Sequence, residues 1–589
     1  MNPENFYLII SYIEIVIYII TIIFLIFCRK SSILAFFIIL LVLDIYFETI
    51  FSHALVAFGG DFYNALYKII YHTLPVSLVI SYCAIISEFF NKSLKVIPFV
   101  FGLLVIALLI ADVFTFRQFN THVTLSDVIN FSGDWINSFD MILNFITNDI
   151  HIITPIIILL ITYSYISFNK AKTRDKMVTW SAMVCFSILF FTMHKPQTTL
   201  WDNYFDNILT SSKASVKALK EYSQDYKYRQ YSPNILTVPG INLRKNIIII
   251  MVESLSSDYS KLLNGHYDSI PNLDKIAKDN IYFPNYYSEG YNTDTGNFAL
   301  LNSIPFIHSN STYYKEKYFY NNLAAVFKKN GYITNVFYSA DPIGELNKIW
   351  NKSQFTHEYG GYQTFYKNSE RLTFNSVPDE DLLDYFVHHL KTSKNQEPFL
   401  SLIQTTTTHH PYILPKTHER SFLKTMKYID TVIPKFIENL RHLNFFDNGI
   451  LIITGDHRVM LPYTSQEEDT YGKMGVARVP LFIIGLENNY GISQNLPFSH
   501  TSLNGLLQYL NLPYAKIYEF NRIPIDKIGV AYEEKPIFYQ IHEPEDKVLV
   551  LFHEKQFVVH LNGDNTSFDT SIDQKTQDEI LSLITWIRN

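Results

Sequence analysis

Glu253 at the end of the apolar run IIIIMVE, two threonines in YNTDTGNF (Thr293 and Thr295), and the Asp456-His457 pair in IITGDH supply carboxylate, hydroxyl and imidazole groups from three separate parts of the chain. Three oxygen donors and one imidazole, from Glu253, Thr293, Asp456 and His457, suit a divalent cation such as Mn²⁺ or Zn²⁺. A threonine hydroxyl held by such an ion loses its proton more readily and becomes a nucleophile near neutral pH. The fitting target is a phosphodiester, because the same ion would stabilise its anionic oxygens as the leaving group departs. His409, in TTTTHHPY, adds an imidazole able to bind that phosphate or to protonate the leaving group. Taken singly, each motif has a plainer reading. GDH and NTDTG are common turns, Glu253 can cap a helix over SLSSDYSKLL, and histidines can be incidental to a β-rich edge. Residue types alone leave both Thr293 and Thr295 open as the nucleophile.

The elements around these residues predict an α/β domain. LRKNIIIIMVESLSS changes abruptly to a continuous β-branched run, the mark of a strand buried on both faces of a parallel sheet. GYITNVFYS, PFLSLIQTT, GILIITGDH and VPLFIIG repeat the pattern, and helical stretches such as NLAAVFKKN, DEDLLDYFVHHLKTS and YIDTVIPKFIENLRHL separate them. Such alternation implies a mostly parallel sheet covered on both faces. The tail VLVLFHEKQFVVHLNGDNTSF alternates around a turn and predicts an antiparallel hairpin in a small C-terminal subdomain. Ligands of open sheets gather beyond the carboxyl ends of the strands, where Glu253, His409, Asp456 and His457 all fall. His500, in FSHTSLNGLL, precedes a helix and reads as a capping residue.

The beginning of the chain is of another kind. Spanning a bilayer takes about 20 mostly apolar residues, and six runs qualify: Tyr7–Phe27, Ile33–Ile50, Ile69–Phe89, Val96–Phe116, Ile150–Phe168 and Met177–Met193. The first lacks the basic leader and small-residue cleavage site of a removable signal. Cations concentrate in the loops RKSS, NKSLK and NKAKTRDK after the first, third and fifth runs, which places those loops in the cytoplasm and the polar remainder outside. The expected organisation is therefore a transmembrane domain over 1–194, a linker helix and tether over 195–244, and an extracytoplasmic domain over 245–589. Asp44 lies within the second run, with Glu48 and Asp112 near outer ends, where carboxylates are costly enough to raise the question of function. No internal repeat of the runs supports a transporter. A net charge of −7 argues against a nucleic-acid partner. All three cysteines, Cys28, Cys83 and Cys185, lie in the apolar third, which excludes disulfides and thiolate metal sites from the polar region.

The order of motifs across roughly 245–515 resembles the alkaline phosphatase and sulfatase superfamily, specifically phosphoglycerol transferases of the lipoteichoic acid synthase type. IIMVESLSS, SIPNLDKIAKDNIYFPNYYSEG, NTDTGNFALLNS, WNKSQF, YGGYQTFY, THHPY, ITGDH and VPLFIIG carry that resemblance. It implies that Glu253, Thr293, Asp456 and His457 hold the metal, with Mn²⁺ expected and Zn²⁺ or Mg²⁺ as alternatives. It also selects Thr293 over Thr295, since the family's nucleophile stands five residues before the phenylalanine that matches Phe298. His409 matches a substrate histidine, and Trp350 with Lys352 matches a headgroup-binding Trp-Asn-Arg segment in which lysine replaces arginine. That exchange keeps charge but loses bidentate phosphate geometry. Ser339 stands where another headgroup histidine is expected. The implied activity moves phosphoglycerol from phosphatidylglycerol, through a phosphothreonine, to a glycan or glycerol phosphate polymer, at the outer face of a bacterial cytoplasmic membrane. Phosphoethanolamine transferases acting on lipid A or surface glycans share the metal chemistry, but they typically carry disulfides in the soluble domain. The sulfatase signature Cys/Ser-x-Pro-x-Arg is absent at NTDTG. Retention of all four ligand residues argues against a non-catalytic sensor or assembly partner.

Overall fold

The computed structural model describes residues 37–46, 76–84, 86, 94–119 and 150–168 of the N-terminal third, and 231–588 apart from 308–315, 341–343, 361–368, 394–396, 411, 462, 488–489, 491, 526–534, 542–546, 553–554 and 562–565. The chain divides into two compact units, residues 1–128 with 139–211, and residues 129–138 with 212–589.

In the first unit the helix Val96–Phe119 contains, over Val96–Val113, the one stretch among the described residues that is long and apolar enough to cross a membrane. Phe37–Tyr46 and Ile153–Phe168 are shorter apolar helices. The expected spans Tyr7–Phe27 and Met177–Met193 lie outside the described residues, as does Glu48. Ile38, Leu41, Ile80, Leu109, Leu159 and Tyr163 are buried against one another. Val100, Phe101, Leu104 and Leu108 remain exposed on the long helix, an apolar face of the kind that lipid covers. Both Asp44 and Asp112 are buried, and the Tyr46 hydroxyl donates to Asp112 Oδ2 at 2.9 Å, tying two helices together.

The second unit is built on a seven-stranded sheet. Its strands in chain order are β1 (Asn246–Val252), β2 (Ile281–Tyr282), β3 (Ile333–Tyr338), β4 (His357–Gly360), β5 (Phe399–Gln404), β6 (Gly449–Gly455) and β7 (Leu481–Ile484). They lie in the order β2-β7-β6-β1-β5-β3-β4. The five strands from β6 to β4 are parallel, and β7 pairs antiparallel with both β6 and β2. VPLFIIG is thus a strand, as its composition predicts, but of the opposite sense to the parallel core. The connection from β6 carries the helix Ser465–Tyr471 and a short 3-10 turn, which bonds to the C-terminal sheet through Met474 N to Gln556 Oε1 at 2.7 Å. After this connection β7 returns antiparallel to β6.

Alternation explains the unbroken apolar runs. Ile247, Ile249 and Met251 of β1 enter one core with Phe298, Leu323, Leu503 and Leu507, from the helices Thr293–Asn302, Leu323–Lys329 and His500–Asn511. Ile248, Ile250 and Val252 enter the opposite core with Leu273, Phe386, Ile429 and Phe436, from the helices Pro271–Lys278, Asp379–Thr392 and Phe422–His442. Every β1 side chain after Asn246 is buried, so no polar alternation survives.

The expected C-terminal hairpin pairs Lys547–Phe552 with Lys555–His560, inside a four-stranded antiparallel sheet that also holds Ile537–Ile541 and Ser567–Phe568. Within the stretch expected to be a tether, Ile235–Pro239 is a strand paired antiparallel with Tyr514–Tyr518. Glu289 links this C-terminal sheet to the Thr293 helix. Its buried carboxylate accepts from Phe538 N at 3.2 Å and Thr501 N at 3.3 Å, and also from the Thr501 hydroxyl. Burial raises its pKa, and those donors offset part of the rise.

Candidate metal and nucleophile site

Register brings the first ligands together. Val252 of β1 pairs with Gly455 of β6, so Glu253 and Asp456 leave adjacent parallel strands side by side. Met251 pairs with Gln404, the last residue of β5, on the other flank. One ligand atom from each of Glu253, Asp456 and His457 lies within 4.8 Å of the others, and all three residues are buried. Ser254, next to Glu253, adopts a left-handed φ of 56°, a costly conformation for a non-glycine residue at a functional turn. Its hydroxyl donates to Glu253 Oε1 at 2.7 Å and its backbone N–H to Asp456 Oδ1 at 2.9 Å. Glu253 therefore caps no helix, and only a 3-10 turn over Ser257–Tyr259 follows it.

Thr293 is the first residue of a helix rather than part of a loop. Asn292 caps that helix, accepting from Thr295 N while the Thr295 side chain answers the Asn292 backbone. This capping box occupies the Thr295 hydroxyl, which accepts from Tyr291 N at 2.8 Å and Asn292 N at 3.0 Å. The Thr293 hydroxyl instead donates to Glu253 Oε2 at 2.9 Å. The positive end of the helix dipole at this terminus favours an anion. The helix also touches the Asp456 turn directly, since a Cβ on Gly296 would sit 2.1 Å from the Asp456 carbonyl oxygen. Only glycine permits that approach.

The run Thr405–Thr408 is spent on architecture. Glu253 N donates to Thr405 Oγ1 at 3.0 Å, and the Thr408 hydroxyl donates to the Glu253 carbonyl. Thr406 N and Thr407 N both donate to the buried Asp379, whose carboxyl burial raises to about 6. The Ser339 hydroxyl donates to Thr406 Oγ1 at 2.7 Å in the same knot. His409 follows, with Nδ1 2.6 Å from the His410 carbonyl and the Phe374 ring 4.6 Å away, edge-on. A carbonyl only accepts, so the proton sits on Nδ1 and the ring's lone pair is on Nε2. Burial lowers the His409 pKa, partly countered by Glu253.

The other residues singled out in the sequence occupy varied positions. Trp350 is 1% exposed, stacked on Tyr338 at 5.0 Å, with its indole Nε1 3.3 Å from Asn297 Oδ1. Lys352 holds its ammonium 5.6 Å from the centroid of the Phe319 ring. His500 is buried as the first residue of its helix, with Nε2 3.0 Å from the carbonyl of Gly455, so it props the turn that carries Asp456. Sequence reasoning passes over Asn297, Gln404, Ser254 and Asp379. Asn297 stands one helical turn after Thr293 and Gln404 is a polar strand end, signals visible only once the helix start and strand register are known.

The donor set fits a divalent cation. Nδ1 of His457 lies 2.8 Å from the Arg458 carbonyl, which directs the Nε2 lone pair into the cluster. That buried Nε2 makes no hydrogen bond, although Glu253 Oε1 is 3.3 Å away. Burial would lower the His457 pKa, but the carboxylates of Asp456 and Glu253 raise it to about 9. Burial, reinforced by Glu253, raises Asp456 as well. A cation must displace the proton so held, because metal ligands bind deprotonated. Mn²⁺ affinity is therefore expected to rise about tenfold per pH unit for each displaced proton below the raised pKa. Calorimetric titrations in buffers of different ionisation enthalpy measure both the rise and the proton release. Affinity that is flat between about pH 6 and 8 would contradict this account.

Residues 245–500 match the family model described as Sulfatase. Lipoteichoic acid synthase of Staphylococcus aureus is 25% identical over 486 residues, spanning 73% of this chain and 73% of that protein. Among solved structures, a protein of the alkaline phosphatase superfamily from Vibrio parahaemolyticus aligns with a TM-score of 0.47 at 18% identity, covering 64% of this chain and 95% of its own. Lipoteichoic acid synthase LtaP from Listeria monocytogenes aligns with a TM-score of 0.44 at 15% identity, over 59% of this chain and 92% of its own.

Proposed function

From the premise that residues 245–500 form a sulfatase-family domain, we propose that this chain is a membrane-anchored phosphotransferase that moves phosphoglycerol from phosphatidylglycerol to a glycan or glycerol phosphate polymer outside the cytoplasmic membrane. The observation that carries this reading is the Thr293 hydroxyl, 2.9 Å from Glu253 Oε2 at the mouth of a buried cluster of two carboxylates and an imidazole. The likeness to lipoteichoic acid synthase, read with the motif order, supports the choice of donor.

Glu253, Asp456, His457 and Thr293 would hold the cation, Mn²⁺ by the family's precedent, with Zn²⁺ or Mg²⁺ as alternatives. Bound there, it supplies charge neutralisation for the phosphate oxygens and lowers the proton affinity of a coordinated hydroxyl. The chain's own residues do the rest. The Thr293 proton points at Glu253 Oε2, which directs an oxygen lone pair away from the carboxylate and toward an incoming phosphorus. The Glu253 carboxylate stays ionised, because the facing imidazoles of His409 and His457 and the Ser254 hydroxyl outweigh burial and lower its pKa, so it orients the hydroxyl rather than storing its proton. Attack by Thr293 forms a phosphothreonine and releases diacylglycerol, and an acceptor hydroxyl then displaces Thr293. His409 Nε2, on a ring anchored through Nδ1, takes the Thr293 proton as the new P–O bond forms and gives it to the diacylglycerol oxygen as that P–O bond breaks; the acceptor step takes the acceptor's proton and returns it to Thr293. Trp350, Lys352 and Ser339 are the proposed headgroup side of the site. Confining the domain to the membrane raises the effective concentration of a donor that cannot leave the bilayer.

The test supplies the full-length protein with phosphatidylglycerol or phosphatidylethanolamine in mixed micelles, with Mn²⁺ or with chelator, and follows diacylglycerol. Release from phosphatidylglycerol that needs the metal is expected. Release from phosphatidylethanolamine alone would replace the headgroup, and release from neither would defeat the proposal.

A further inference from the structure

We infer that Asn297 and Gln404 are positioning residues for Asp456 and Thr293, acting as a one-way amide relay whose direction the Trp350 indole sets; the inference rests on the proposed reading of Asp456 as a metal ligand. An indole N–H donates and cannot accept. It lies 3.3 Å from Asn297 Oδ1, which turns the Asn297 amide nitrogen the other way. That nitrogen donates to the Thr293 carbonyl and to Gln404 Oε1, both at 2.9 Å. With Oε1 so engaged, Gln404 Nε2 faces Asp456 Oδ2 at 3.1 Å and the Thr405 carbonyl at 3.3 Å. The relay ends on Asp456 Oδ2, which in the deprotonated form that binds metal accepts and does not donate.

A chain that begins at a donor-only group and ends at an acceptor-only group has one consistent orientation. Flipping either amide would set oxygen against oxygen at one end and N–H against N–H at the other. Water cannot relieve such a mismatch, because Trp350, Asn297, Gln404 and Asp456 are all buried. Asp456 Oδ1 is meanwhile held by the N–H groups of Ser254 at 2.9 Å and His457 at 2.8 Å. The Gln404 donor thus holds the second oxygen, so that both ends of the carboxylate are fixed. Asn297 performs the matching task for the nucleophile, since it grips the carbonyl of Thr293 itself. Two amides therefore register the candidate nucleophile against a candidate ligand carried on a different strand, and the buried indole keeps both amides in the productive sense.

The experiment titrates Mn²⁺ into the full-length protein and into Gln404→Met, Gln404→Glu and Trp350→Phe, and records thermal unfolding of each without metal. Loss of an outer partner of a metal ligand weakens affinity about 10- to 100-fold, the range expected for Gln404→Met, with kcat lowered and KM for lipid unchanged. Gln404→Glu keeps the shape and the Oε1 acceptor but sets a carboxylate against Asp456, so it should bind Mn²⁺ more weakly than Gln404→Met. Trp350→Phe removes the direction-setting donor while keeping an aromatic ring against Tyr338, and its Mn²⁺ affinity should fall between wild type and Gln404→Met, which keeps the inference testable if a Gln404 variant does not fold. Affinities within about twofold of wild type for these variants would overturn it, as would weakening that merely follows each variant's loss of unfolding temperature. A wild-type protein that binds Mn²⁺ but releases no diacylglycerol would sink the transferase reading while leaving the relay to be judged on affinity. Failure of the wild type to bind Mn²⁺, Zn²⁺ or Mg²⁺ would sink both.

Discussion

Thr293→Ala is expected to cut diacylglycerol release by about 10⁴-fold or more, the scale on which losing a covalent nucleophile acts. Thr295→Ala should leave turnover within reach of wild type. The two hydroxyls stand two residues apart and are used in unlike ways. Thr293 Oγ1 meets Glu253 at 2.9 Å, whereas Thr295 Oγ1 is closed into the cap by Tyr291 N and Asn292 N. Loss of that cap should cost stability, about 1 kcal/mol, and appear as a lower unfolding temperature. Thr293→Ser retains a hydroxyl and should recover part of the activity. Rates and melting curves of the three variants check the assignment, and a Thr293→Ala protein with normal release would place the nucleophile elsewhere.

Glu253→Gln should weaken Mn²⁺ binding by more than about 100-fold, beyond the range of outer-partner losses, and abolish transfer with it. Its fold should survive. The hydroxyls that donate to the Glu253 side chain, Ser254 at 2.7 Å and Thr293 at 2.9 Å, can rotate to accept from an amide. Asp456→Asn offers no such escape. Its carboxylate accepts from Ser254 N, His457 N and Gln404 Nε2, all donors, so an amide nitrogen there leaves a buried N–H unsatisfied at a cost of about 1–3 kcal/mol. Metal affinity should therefore fall in both variants, but the unfolding temperature of the metal-free protein only in Asp456→Asn. Calorimetry and melting in chelator separate the two effects.

Much of this arrangement is legible before any coordinates. A run such as NIIIIMV, with no polar alternation, announces a strand covered on both faces, and the residue at its end is then a ligand candidate by position alone. The Asp456-His457 pair after β6 follows by the same rule. The sense of β7 is not legible, because parallel and antiparallel strands share one composition and only the path of the connection decides between them. Nor is the helix start at Thr293 evident, since NTDTG suits a turn until Asn292 and Thr295 close a capping box. The amides of Asn297 and Gln404 escape notice for a further reason. Each is meaningful only through partners brought near by β-register and helix packing, and neither residue type has chemistry of its own. Four threonines before His409 suggest an edge strand, yet they serve as a clamp on Glu253 and Asp379, a use that no local pattern reveals.

The carboxylate of Glu289 ties the reacting end of the molecule to its tail. Placed just ahead of Thr293, it is held by amides of Phe538 and Thr501. The terminal sheet is accordingly a buttress rather than an appendage. A chain cut short before residue 537 would retain Glu253, Thr293, Asp456 and His457, yet it would leave a desolvated acid without its Phe538 brace just ahead of the proposed nucleophile, so the strand that holds Phe538 would help set the geometry of the proposed first step.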